Sequence, residues 1–159
     1  MTLKQRQDKF QEIFNIVLIQ FQFVEEIIKN YLDFSYSIIK SRVSKDIEFN
    51  YSYEDVKNMS LQKLVHIFNK LSKRKDLVEY LNSIIPDRDF LAHRALLSTI
   101  APHVTGENVV RINLEKICFV NSKVQFLFKE LIEENGKIEK LKNEICGTKE
   151  TKLNDRGHR

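Results

Sequence analysis

The sequence predicts an all-α fold, an antiparallel bundle of four to five helices, and three observations carry that expectation. Four glycines and two prolines stand in 159 residues, too few to punctuate a sheet that turns about every ten residues. Hydrophobic residues make up 42% of the chain, which supplies a core and excludes collagen-like, low-complexity and broadly disordered classes. Long stretches also repeat apolar residues at the three-and-four spacing of a helix. The length fits one compact domain, expected over residues 1–146, with a polar, disordered tail over 147–159.

The first helix is expected over Leu3–Lys40, which contains no proline or glycine. Its apolar stripe includes Phe10, Phe14, Val17, Phe21, Val24, Ile28 and Leu32. Ile16, Ile19 and Phe23 widen the stripe beyond one face. That width implies a helix central in the bundle, or one whose second face meets another subunit. Ser41–Ser60 breaks the period and reads as a long connection, with a short strand or turn around Ile47–Tyr53. Its aromatics, with Tyr31, Phe34 and Tyr36, are expected to anchor the loop rather than to stack bases.

Ser60 is placed to cap a helix from Leu61 to about Lys73, with Leu61, Leu64, Val65, Phe68 and Leu71 facing inward. Asp76 can cap the next, Leu77–Ile85. Pro86 suits a first turn, so a new helix or a kinked continuation runs on to about Thr99. Ala101–Asn108 reads as a loop, and a final helix starts between Val110 and Asn113 and reaches Ile145, weakening at Gly136.

Net charge is +4, a small surplus whose distribution matters more than its size. Between Leu61 and Lys75 stand Lys63, Lys70, Lys73, Arg74 and Lys75 with no acidic residue. Such a run is either a solvated helix face or a phosphate-contacting one. Cys118 and Cys146 form neither a disulfide framework nor a metal motif, and suit a reducing compartment. His66, His103 and His158 show no metal-ligand spacing, so no metal or cofactor is expected. Secretory and membrane-spanning signals are absent, so the expected location is cytoplasmic.

One cluster concentrates chemistry: Arg88-Asp89-Phe90-Leu91-Ala92-His93, just after Pro86. Asp89 and His93 are four apart and share a face on a helix, where the carboxylate can fix the imidazole tautomer. Arg88 is five residues from His93, roughly 140° round an ideal helix, and its permanently charged side chain can swing back toward a site shared with the histidine, or meet it from a second copy across a two-fold axis. A histidine with an ordinary pKa near ~6.5 can both take and give a proton near neutrality. The competing reading is a helical histidine and a surface ion pair with no chemistry.

This R-x4-H signature, with a polar residue after the arginine and an all-helical setting, resembles the HEPN domain family. The resemblance implies an HEPN-like bundle and a metal-independent endoribonuclease of toxin, phage-defence or RNA-processing type. Two copies of the motif would line one cleft in a homodimer, and a separate antitoxin or regulatory chain could accompany it. His93 would transfer protons at the ribose 2′-OH or the leaving oxygen. Arg88 would stabilise phosphoryl charge, and Asp89 would orient the pair. Lys70, Lys73, Arg74, Lys75 and Arg94 would hold RNA. The expected product is a 2′,3′-cyclic phosphate. Ala95 stands where some members carry a tyrosine, and Asp89 where asparagine is common. The alternative within the family is a non-catalytic module that binds RNA or a protein partner.

Overall fold

The computed structural model describes the backbone of residues 1–92 and 102–154 and the side chains of 1–92 and 111–147, and five α-helices occur among these described residues. They are α1 (Leu3–Arg42), α2 (Tyr53–Val56), α3 (Leu61–Leu71), α4 (Lys75–Phe90) and α5 (Pro102–Asn154). No strand occurs among the described residues. The architecture is all-α, as the scarcity of glycine and proline requires.

Two compact units divide the chain, one from Met1–Val24 and Asp76–Lys129, the other from Glu25–Lys75 and Glu130–Arg159. In the first unit the core is Phe10, Phe14, Val17, Phe21 and Val24 of α1, Leu77, Val78, Leu81 and Ile84 of α4, and Ile117, Val120, Val124 and Leu127 of α5. These positions repeat at three and four residues along each helix, and each buried side chain contributes about 1.5–3 kcal/mol. Ile16, Ile19 and Phe23 are 42%, 52% and 54% exposed. The described chain therefore does not bury α1 on two sides, and the central-helix alternative fails.

In the second unit Leu61, Leu64, Val65 and Phe68 of α3 are buried with Ile28, Tyr31 and Leu32 of α1, Val56 of α2 and Leu131 of α5. Tyr31 packs its ring 4.7 Å from that of Phe68, and burial pushes its hydroxyl pKa up. The connection after α1 makes a turn, with the Ile47 N–H donating to Ser44 O, and then α2 where a strand was one expectation. The Asp55 carboxylate supports that start by accepting the Ser52 N–H at 2.8 Å. Tyr53 straps the segment to α1: its N–H donates to Asp33 Oδ1 at 2.9 Å and its hydroxyl to Glu26 Oε2 at 2.8 Å. Lys29 also donates to Glu26, at 2.6 Å, and is the main reason the Glu26 carboxyl sits below its ordinary pKa. Tyr36, Phe49 and Tyr51 gather within 5.4–6.1 Å of one another, the loop-anchoring role expected for these aromatics.

Several boundaries differ from the periodicity reading: α4 begins at Lys75, so Asp76 is in its first turn rather than capping it, and α5 runs beyond the expected end at Ile145 into the segment read as a disordered tail. Pro86 does not open a new helix; α4 continues through it to Phe90, and residues 93–99 of the stretch expected to reach Thr99 lie outside the described residues. The segment read as the loop Ala101–Asn108 is helical from Pro102. Proline is favoured in a first helical turn because its missing N–H has no intrahelical partner there anyway. The helix also continues past Gly136, where open space surrounds the missing Cβ, and past Gly147 to Asn154. One glycine costs about 1 kcal/mol relative to alanine, which flanking helix formers such as Glu134, Lys137 and Glu139 can absorb.

Candidate functional site

The last turn of α4 carries the arginine-aspartate pair, and its position is set by an unusual helix end. Pro86 lies inside α4 and is exposed. Its ring removes one backbone donor and crowds the preceding turn, which weakens the ladder there. Lys123 of α5 reaches into that turn. Its Nζ donates to Asp87 Oδ2 at 2.9 Å and to Ser83 O at 3.3 Å. The two charged side chains are only 19% and 15% exposed, so this pair is less screened than a surface one.

Lys116, seven residues earlier and so on the same side of α5, lies 3.7 Å above the centroid of the Phe90 ring. Tyr80 and Phe126 add a ring contact at 5.2 Å. The stretch from Tyr80 to Phe90 is therefore fastened to α5 on both sides of the proline. Leu91, which follows directly, is fully buried.

Arg88 is half-buried and Asp89 is exposed on this turn. The expected catalytic His93, and Arg94, lie outside the described residues. Asp87, expected to complement a helix dipole in a first turn after Pro86, instead stands inside α4 and pairs with Lys123, which carried no signal of its own in the sequence. The signal available was weak: Lys116 and Lys123 share a helical face, but nothing in one chain says which helix they meet.

The basic run divides into different environments. Lys70 and Lys73 are exposed. Arg74 donates to Glu130 Oε2 at 3.0 Å and lies 3.6 Å from Glu134, so α5 supplies the acids that the local sequence lacks. Lys75 donates to the Asn69 side chain at 2.8 Å and to its carbonyl, closing the end of α3. These four residues belong to the second unit, and Arg88 and Asp89 to the first.

Among the described residues no group of three or more His, Cys, Asp or Glu side chains is arranged to hold a metal ion. Cys118 and Cys146 are free thiols, both half-buried. No described helix is long and apolar enough to cross a membrane. Compared with protein-family models, curated proteins and solved structures, the chain matches none at a significant level.

Proposed function

We propose that this protein is a metal-independent endoribonuclease of the HEPN type. The observation that carries the reading is the Arg88-Asp89-Phe90-Leu91-Ala92-His93 signature, whose arginine and aspartate stand on the last turn of α4. In this reading His93 takes the proton of a ribose 2′-OH as that oxygen attacks the adjacent phosphorus, or returns a proton to the departing 5′-oxygen. The P–O5′ bond breaks as the P–O2′ bond forms, leaving a 2′,3′-cyclic phosphate and a 5′-hydroxyl. Arg88 offsets charge on the non-bridging oxygens by charge-assisted hydrogen bonds. Asp89, exposed on the same turn, orients the arginine and the imidazole.

Two copies acting together agree with the exposed α1 stripe of Ile16, Ile19 and Phe23, an apolar surface that a second copy would cover. The Lys123–Asp87 pair supports the reading in another way. It occupies the carboxylate next to Arg88 and leaves the exposed Asp89 as the motif's acid.

The deciding experiment is cleavage of a mixed RNA substrate in EDTA by the wild type and by His93→Ala and Arg88→Ala. Chelator-resistant cutting with cyclic-phosphate ends, lost in both variants, is the expected result. No cutting by folded wild type at high concentration overturns it in favour of a binding module. Equal cutting by all three assigns the activity elsewhere.

A further inference from the structure

We infer that the outer face of α3 is a binding surface for the phosphate backbone of single-stranded RNA, built from Lys63, His66, Lys70 and the adjoining Lys73. The inference rests on the proposal that RNA is the substrate, but it concerns a different surface and a step that does not require cleavage.

The geometry follows from how completely α3 separates its two sides. Leu61, Leu64, Val65 and Phe68 are at most 3% exposed, so the centre of the apolar stripe is committed inward, with Ile67 and Leu71 half-buried at its edge. Lys63, His66 and Lys70 follow a three-and-four spacing directly opposite, and all three are exposed. Lys73, just past the helix end, is exposed as well. None of these four side chains forms a salt bridge among the described residues. The basic residue that does, Arg74, reaches the α5 carboxylates, and this neutralises those acids on the inner side. The surface thus keeps a concentrated positive charge with no acid between Met59 and Asp76.

Phosphate is the chemistry this face suits. Lys63 and Lys70 are seven residues apart, about 10 Å along the axis at 1.5 Å per residue. That separation lets the two lysines reach different phosphates of one strand. Exposed Gln62 and Asn69 flank the lysines, adding polar groups of the kind that contact phosphate and sugar. His66 is the one ring on this face that can stack on a base, and Ile67 at its edge is half-buried. Lysine contacts to phosphate therefore dominate, which predicts a grip largely indifferent to sequence, and no large apolar side chain stands out to enter a lipid surface.

The test uses the full-length chain and a fluorescein-labelled 12-nucleotide oligouridylate, with anisotropy read from 50 to 200 mM KCl. Wild type is compared with Lys63→Gln/Lys70→Gln/Lys73→Gln and with a control of equal charge loss at exposed scattered sites, Lys9→Gln/Lys45→Gln/Lys129→Gln. Circular dichroism confirms that all three are folded. Three phosphate contacts at about 0.7 each predict that the α3 variant loses about two units of log–log salt slope. That is about a 20-fold salt effect over this range, and the control keeps its slope.

Equal losses in both variants, an unchanged slope in the α3 variant, or no RNA binding by wild type each overturn the assignment. Binding to phosphatidylserine vesicles without binding to RNA overturns it in favour of a membrane surface. RNA that is bound with the expected slope but never cut, in EDTA or out of it, upholds this surface and removes the nuclease proposal instead.

Discussion

Helices α3 and α4 are neighbours in sequence and solve the same problem by different means. In the eleven residues of α3, Leu61, Leu64, Val65 and Phe68 form a buried inward face, Ile67 and Leu71 are half-buried at its edge, and Lys63, His66 and Lys70 are exposed opposite. Burial alone fixes its rotation. In α4 the stripe of Leu77, Val78, Leu81 and Ile84 is interrupted around Pro86 and resumes only at buried Leu91, and the turn between is held by polar contacts from Lys123 and by Lys116 over Phe90. The comparison teaches that an amphipathic stripe positions a helix without help. A turn that lacks the stripe and contains a proline needs an external tie, and this is the turn that presents Arg88 and Asp89.

The comparison can be broken first at its strongest point. Phe68→Ala removes a fully buried ring that packs on Tyr31, and should cost about 3–5 kcal/mol in chemical denaturation. A loss below 1 kcal/mol would mean that α3 is not held by burial.

The tie on α4 is smaller but more local. Lys123→Met leaves a mostly buried Asp87 carboxylate without its cation, and should cost about 1–3 kcal/mol. Hydrogen exchange should rise at Ser83–Phe90 and stay unchanged in α3. Uniform acceleration through both helices would show that Lys123 contributes to global stability only.

Pro86→Ala restores a backbone donor at an exposed position inside α4. We expect a gain on the order of 1 kcal/mol, below the ~3 kcal/mol of a proline in an ideal helix interior, because the proline also limits the unfolded chain. A destabilised variant would show that the turn depends on the proline's shape.

The smallest effect belongs to the start of α3. Ser60 stands at the N-cap in extended conformation, but its hydroxyl makes no capping hydrogen bond. Ser60→Ala should therefore change stability by less than about 0.5 kcal/mol, against the ~1 kcal/mol of an engaged cap. Thermal melts of the pair read this directly.

The candidate site was legible in its residue types and not in its supports. Arg88 and Asp89 announce themselves by spacing, and Lys70 and Lys73 by the absence of acids around them. Arg74 looked like its neighbours, yet its partners Glu130 and Glu134 stand more than fifty positions away in sequence. Local charge counts cannot see such partners. The loop reading of Ala101–Asn108 erred for a related reason, since its proline and glycine are turn residues only where the backbone needs them, and Pro102 opens a helix instead.

What the sequence by itself determined is the class of fold and most of the inward faces of α1 and α3. Those depend on periodicity, and a side chain three or four residues from another shares its face whatever surrounds the helix. Only the tertiary structure decided which charges are spent in pairs and which remain on the surface. It also decided that α4 continues through Pro86 beside a lysine from α5. Both outcomes depend on which helices meet, and that is settled by burial of the combined apolar faces rather than by any residue's neighbours in sequence.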